Sequence, residues 1–105
     1  MDRPKLAELK FSPLARADLE LIWIWTEAEW SLDQAFKYNE IIEAGINVVL
    51  RNPTAYQVQV IRGKSFRLAA IGSHLIIYHF AANVVTVVRI MHPRQDWQRV
   101  LGRAP

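Results

Sequence analysis

The residues best suited to chemistry lie in one stretch near the carboxyl end, 87–97. Arg89 interrupts a β-branched run, His92 follows at its end, and Pro93 then stops ladder pairing because it has no amide proton. A guanidinium offers a planar fork of donors that matches phosphate or carboxylate, and an imidazole titrates near neutral pH. The stretch therefore suits either anion binding or proton transfer at the end of a strand.

Arg67 is a second arginine inside an alternating apolar stretch, where burial of an unpaired charge would be costly. If helices cover one face of a sheet, charges within its strands are expected on the other face. Arg67 and Arg89 are therefore predicted to share a concave basic surface, and the alternative is that each pairs with a helix acid or a carboxyl-terminal carboxylate. The candidate residues for binding an anionic target or partner are Arg62, Lys64, Arg67, Arg89, His92 and Arg94.

The histidines do not by themselves define an active site. His92 is either an acid–base group or a hydrogen-bonded residue at a strand end. His74 and His79 lie five apart on one predicted strand, hence on opposite faces, so they form no joint metal site. The sequence has no cysteine, and we find no nucleophile elbow, phosphate-binding glycine loop or carboxylate pair. No cofactor and no metal are therefore predicted.

Charge is divided unevenly between the two halves of the chain. Residues 1–50 hold nine acidic and five basic residues, a net charge of −4, whereas residues 51–105 hold one acidic and eight basic residues, a net charge of +7. A basic half of this kind favours an anionic partner such as nucleic acid or an acidic peptide. The simpler alternative is a solvated basic surface.

Length and composition favour a single domain over residues 1–105, with 51% apolar and 22% charged residues. No apolar run approaches the ~20 residues that span a bilayer, so no membrane association is expected. Residues 1–5 are not followed by the apolar stretch of a signal peptide. We therefore expect a cytoplasmic location.

Two helices are predicted in the first half of the chain. Apolar and charged residues alternate over 5–11, which predicts a strand. Ser12-Pro13 is a helix start, and helix one is expected to run to about Trp30. Ser31 caps helix two, expected over about 32–50. Because the turn between them is short, the helices should form an antiparallel hairpin.

Three strands are predicted in the second half, over 65–71, 74–80 and 84–91. They are joined by short turns, which predicts an antiparallel meander with the first strand at its edge. Residues 53–64 show no clear period and are expected to form a loop or a short strand. The predicted class is α+β, in the order β-α-α-β-β-β, with a short C-terminal helix assigned to 95–101.

Several stretches together resemble the ParE-type toxins of the RelE/ParE toxin–antitoxin superfamily. They are Phe11-Ser12-Pro13-Leu14-Ala15-Arg16-Ala17-Asp18-Leu19, Asn52-Pro53, Ser73-His74-Leu75-Ile76-Ile77-Tyr78 and Val88-Arg89-Ile90-Met91-His92-Pro93-Arg94-Gln95-Asp96. The resemblance implies a helical hairpin packed on a curved antiparallel sheet. It also implies the toxin component of a type II toxin–antitoxin system, neutralised by a cognate ParD-like antitoxin.

The resemblance implies one of two targets. ParE-like members poison DNA gyrase and are not nucleases, whereas RelE-like members cleave messenger RNA in the ribosome. Arg67, Arg89 and His92 occupy superfamily-motif positions and would be the catalytic residues of a nuclease. Trp97 stands where a RelE-like tail often has a catalytic tyrosine, and Pro93 stands where many ParE-like sequences have glycine.

A non-enzymatic gyrase inhibitor is therefore the leading hypothesis. The alternatives are a ribosome-dependent endoribonuclease and an antitoxin-binding module that has lost its toxicity. In each case operator DNA would be contacted only through the antitoxin.

Overall fold

The computed structural model describes residues 6–103. The elements are β1 (Glu8–Phe11), α1 (Pro13–Glu29), α2 (Leu32–Arg51), β2 (Gln57–Ile61), β3 (Lys64–Ile71), β4 (His74–Ala81), β5 (Val84–Met91) and α3 (Trp97–Arg103). Lys5, where the predicted first strand begins, lies outside the described residues. The predicted α+β class is confirmed, and the C-terminal helix begins two residues later than expected.

The five strands form one sheet in the order β1-β5-β4-β3-β2. Strands β2 to β5 are an antiparallel meander, as the short turns predicted. β1 instead pairs with β5 in parallel, so the sheet is mixed rather than wholly antiparallel. A tight turn forces the next strand to run antiparallel to the one before it. The long connection through the helical hairpin allows β1 to pair with β5 in either direction. Only the tertiary structure therefore decides this edge.

Strand β2 resolves the choice left open for residues 53–64. It joins β3 through Arg62 and Gly63, whose φ angles of +51° and +78° are those of a two-residue hairpin turn. Val58 and Val60 are exposed on this edge strand. Because β2 buries little of either face, it lacks the hydrophobic alternation that identifies a strand from sequence.

Both long helices begin at the predicted serine caps. Ala15 N donates to Ser12 Oγ at 3.0 Å, and Gln34 N donates to Ser31 Oγ at 3.0 Å. The Ser12 hydroxyl also donates to Val88 O at 2.6 Å. The residue that starts α1 therefore attaches it to β5.

Apolar side chains are buried on both faces of the sheet. The main core lies between the hairpin and the sheet and includes Ile42, Ile46 and Tyr78. A second cluster contains Ile77 and Leu101, the latter from α3. Because Ile77 and Tyr78 are adjacent on β4, the two clusters occupy opposite faces. The helix α3 thus covers part of the face that the hairpin leaves open.

The glycine in α2 allows the helix to approach β3 closely. A Cβ atom added at Gly45 would lie 2.5 Å from Cγ2, 2.6 Å from Cδ1 and 2.7 Å from Cγ1 of Ile71. Ile71 is itself 7% exposed and has little room to move. The contact explains a glycine inside a helix, where it costs about 1 kcal/mol relative to alanine.

Gly45→Ala is expected to lower the free energy of unfolding. Overpacking a core costs about 1–3 kcal/mol, which exceeds the about 1 kcal/mol gained in helix propensity. Urea denaturation followed by circular dichroism measures the difference. In an Ile71→Ala background, which removes the three clashing atoms, the same change should stabilise the protein. A stabilising effect in the wild-type background would contradict this packing.

Candidate functional site

Arg89 is bound to α1 rather than directed to an open surface. Its Nε donates to Asp18 Oδ2 at 2.8 Å, and its Nη2 donates to Asp18 Oδ1 at 3.0 Å. Ile90 N donates to the same carboxylate at 2.9 Å. The hydrogen bond with Asp18 raises the pKa of the Arg89 guanidinium. The alternative prediction, pairing with a helix acid, is therefore confirmed for Arg89.

A β-bulge immediately precedes Arg89 in β5. Ile77 pairs with Arg89 and Tyr78 pairs with Val87, so Val88 is an extra residue in β5. A bulge interrupts the two-residue alternation and redirects the side chains that follow. The sequence argument placed Arg89 on the uncovered face because an unpaired charge is costly to bury, and the pair with Asp18 removes that cost.

Arg67 closes the loop between α2 and β2. Its Nη1 donates to Thr54 O at 3.1 Å and to Tyr56 O at 2.8 Å. Tyr78, its partner in the β3–β4 ladder, is fully buried and donates to Pro53 O at 2.7 Å. Burial raises the pKa of Tyr78 to about 12, and the positive charge of Arg67 opposes this rise. Arg67 thus pairs with carbonyl groups, which neither sequence alternative specified.

The expected concave basic surface shared by Arg67 and Arg89 is therefore not formed, because each arginine is held by separate partners. Lys64 lies on the sheet face that carries Phe66 and the second cluster, where it lines an open depression with His79. Arg94 follows β5, and its backbone N–H donates to His92 Nδ1 at 3.1 Å. The part played by the six predicted residues in binding a target or an antitoxin stays a prediction.

A cavity of about 460 Å³, here called the hairpin-turn cavity, lies where the helical hairpin meets the β3–β4 turn. It is lined by Trp25, Thr26, Trp30, Gln34, Tyr38, Ser73, His74 and His92. Only His92 among these was predicted as a site residue. The lining comes from α1, α2, the β3–β4 turn and the segment after β5, so no sequence spacing could have revealed it.

Tyr38 connects α2 to the β3–β4 turn inside this cavity. Its hydroxyl lies 2.5 Å from His74 Nδ1 and accepts a hydrogen bond from Ser73 N at 2.9 Å. The rings of His74 and His92 are nearly perpendicular, with centroids 6.1 Å apart. Burial, and secondly the neighbouring His92, lower the pKa of His74 below its ordinary value of 6.5. His74 is therefore neutral at pH 7.

An apolar stripe on the outer face of α1 ends at the cavity. Its large members are 53–64% exposed and recur at helical spacing. The exposed residues of this α1 stripe are Leu14, Ala17, Leu21, Ile24, Trp25 and Ala28. Trp25 belongs to both the stripe and the cavity. A contiguous exposed apolar surface of this kind marks a site of protein–protein interaction.

Among residues 6–103, no helix has the length and apolar character needed to cross a membrane. The same residues contain no cluster of three or more histidine, cysteine, aspartate or glutamate side chains that could hold a metal ion.

The fold is that of a known toxin–antitoxin structure. A chain of the solved structure "Chromosomal ParDE TA system from P. aeruginosa" superposes with a TM-score of 0.68, covering 83% of this chain and 96% of that one. The sequences are 15% identical, so this likeness concerns the fold alone.

Sequence comparison defines the family. The model of the family described as "ParE toxin of type II toxin-antitoxin system, parDE" matches residues 9–97. Toxin ParE1 of Mycobacterium tuberculosis is 33% identical over 86% of this chain and 93% of its own length. Toxin ParE1 of Caulobacter vibrioides is 29% identical over 89% of this chain and 96% of its own length. The chain belongs to the ParE toxin family, and the predicted resemblance is confirmed.

Asp18→Asn is expected to destabilise the protein by about 2 kcal/mol, because it removes a charge-assisted pair from a partly buried site. Asp18 and Arg89 side chains are 11% and 21% exposed. Urea denaturation measures the loss. Glu20→Gln, at an exposed position of the same helix, is the matched control and should change stability by less than about 0.5 kcal/mol. Equal effects of the two substitutions would show that the pair contributes nothing.

The free energy of unfolding should decline as the pH falls below about 6.5. The pKa of His74 is lowered in the folded chain, so the unfolded chain takes up the proton first and is stabilised by acid. Denaturation curves between pH 7.5 and 5 test this. His74→Gln should flatten this slope relative to the wild type. An unaltered slope in His74→Gln would argue against this coupling.

Proposed function

We propose that this ParE-family toxin inhibits DNA gyrase without an enzymatic step and is neutralised by a ParD-like antitoxin. The observation that carries the proposal is the family match over residues 9–97. A gyrase target places the protein in the cytoplasm. Operator DNA would be bound only by the antitoxin partner.

The side-chain arrangement favours gyrase inhibition over messenger RNA cleavage. A nuclease would need Arg67, Arg89 and His92 on one substrate, but the two arginines are already held by loop carbonyls and by Asp18. Trp97, in place of a RelE-like tyrosine, packs against the cluster that contains Leu101. These residues act as structural supports.

The α1 stripe is the proposed docking surface for the antitoxin. An amphipathic segment that lays apolar side chains along Leu14, Leu21 and Trp25 would cover the stripe. The net charge of +7 on residues 51–105 favours a segment that also carries acidic side chains. In this arrangement Arg62, Lys64, His92 and Arg94 are candidate contacts for the antitoxin or for gyrase, whereas Arg67 and Arg89 act through the fold.

A supercoiling assay tests the target. The purified toxin should inhibit gyrase and increase the amount of cleaved DNA, and the antitoxin should reverse both effects. Normal supercoiling at excess toxin would reject the proposal. Growth arrest with codon-specific cuts in messenger RNA would instead indicate the nuclease, and the absence of growth arrest would indicate a module without toxicity.

Leu21→Arg is expected to weaken antitoxin binding by about 100-fold, because it places a charge in the centre of the docking surface. Calorimetry or surface plasmon resonance measures the affinity. Val60→Arg is the matched control, since Val60 is 65% and Leu21 is 64% exposed. The control should retain wild-type affinity. A loss confined to Val60→Arg would place the antitoxin on the β2 edge and reject the α1 stripe.

A further inference from the structure

The hairpin-turn cavity offers hydrogen-bond donors and aromatic walls. Trp25 and Trp30 are 58% and 69% exposed, and within residues 6–103 neither indole N–H has a hydrogen-bond partner. The Thr26 hydroxyl is already engaged, since it donates to Ile22 O at 2.7 Å. Indole nitrogen is a donor only, so these walls favour a ligand that accepts hydrogen bonds.

The tautomer of His74 follows from its hydrogen bonds. The Tyr38 hydroxyl accepts from Ser73 N, so both groups are satisfied when Tyr38 donates its own proton to His74 Nδ1. The neutral ring then carries its proton on Nε2. Its lowered pKa, caused first by burial and then by His92, keeps the ring in this neutral form at pH 7.

The tautomer of His92 follows in the same way. Arg94 N donates to His92 Nδ1 at 3.1 Å, which makes Nδ1 the acceptor and leaves the proton of the neutral ring on Nε2. The two rings, 6.1 Å apart, therefore present two N–H donors whose orientation is held by the chain itself. Within the described part of the chain, neither Nε2 atom has a hydrogen-bond partner.

From this arrangement we infer that the hairpin-turn cavity is a binding site for a carboxylate attached to an apolar group. The carboxylate accepts from the imidazole N–H groups, and the apolar group packs against Trp25 and Trp30. A volume of about 460 Å³ is in the range of small-molecule sites. This inference does not depend on the proposed gyrase target or on the antitoxin.

The cavity lining contains no carboxylate, which separates this site from a cation-binding aromatic cage. Its eight residues include no aspartate or glutamate. The nearest basic residue in sequence is Arg94, whose backbone already contacts His92. A cation would meet the imidazole N–H groups without a compensating negative charge among the lining side chains, whereas a carboxylate finds several donors.

Phenylacetate is the probe, and phenethylammonium is its counterpart of opposite charge. Both are titrated into the ¹⁵N-labelled full chain, and the histidine and indole N–H signals are followed by NMR. Phenylacetate should cause saturable shifts at His74, His92, Trp25 and Trp30. His79, Trp23 and Trp97, which do not line the cavity, are internal controls and should not respond.

Two substitutions locate the contacts. His92→Ala should weaken phenylacetate binding about tenfold, as expected for one hydrogen bond to a charged group. Trp30→Ala should weaken it by a similar factor without unfolding the chain, because the Trp30 side chain is exposed. His79→Ala should bind as the wild type does. Circular dichroism confirms that each variant is folded.

The inference is overturned if phenylacetate causes no saturable shift, or if phenethylammonium binds as well or better. Equal responses from His79 and the cavity histidines would indicate nonspecific binding and would overturn it too. Wild-type affinity in both folded variants would have the same consequence. Gyrase inhibition is measured separately, so failure here leaves the proposed function standing.

Discussion

The bidentate pair between Asp18 and Arg89 is the interaction on which this structure depends most. Both charged side chains are partly buried. Burial of an ion pair is costly unless hydrogen bonds satisfy the charged groups. The carboxylate accepts from the guanidinium and also from Ile90 N. The Asp18 carboxylate and the hydrogen bond from the Ser12 hydroxyl to Val88 O together attach α1 to the strand β5.

Once α1 is attached to β5, the positions of the remaining elements follow. The helix α2 is antiparallel to α1 and approaches β3 where Gly45 leaves room for Ile71. Tyr38 of α2 then reaches Ser73 and His74 at the β3–β4 turn. The hairpin-turn cavity is a consequence of this docking, and so is the exposure of the α1 stripe.

Recognition of a partner is the role that we propose for this site. Arg67 holds the loop after α2, Arg89 holds α1, and Trp97 packs against the second cluster, so these residues maintain the shape of the protein. Among residues 6–103, the apolar α1 stripe and the donor-rich cavity beside it are two surfaces that a partner could contact. A protein that acts by binding requires such surfaces, which agrees with membership of the ParE toxin family.

The sequence by itself determined the local structure and the family. Serine caps, turn residues, the alternation of β3 and the apolar runs of β4 and β5 are local signals, and they specified both long helices, the meander and the α+β class. The order of motifs specified the ParE resemblance. The choice between a loop and a short strand stayed open for β2, because an exposed edge strand has no buried face to give it a pattern.

The tertiary structure decided the partners of the charged and aromatic side chains. Arg89 pairs with Asp18, which lies 71 residues away in the sequence, and the parallel pairing of β1 depended on the path of the hairpin. Tyr38 and His74 lie 36 residues apart, so only the docking of α2 on the sheet brings them together. Such contacts depend on packing between distant segments, which residue spacing along one chain does not encode.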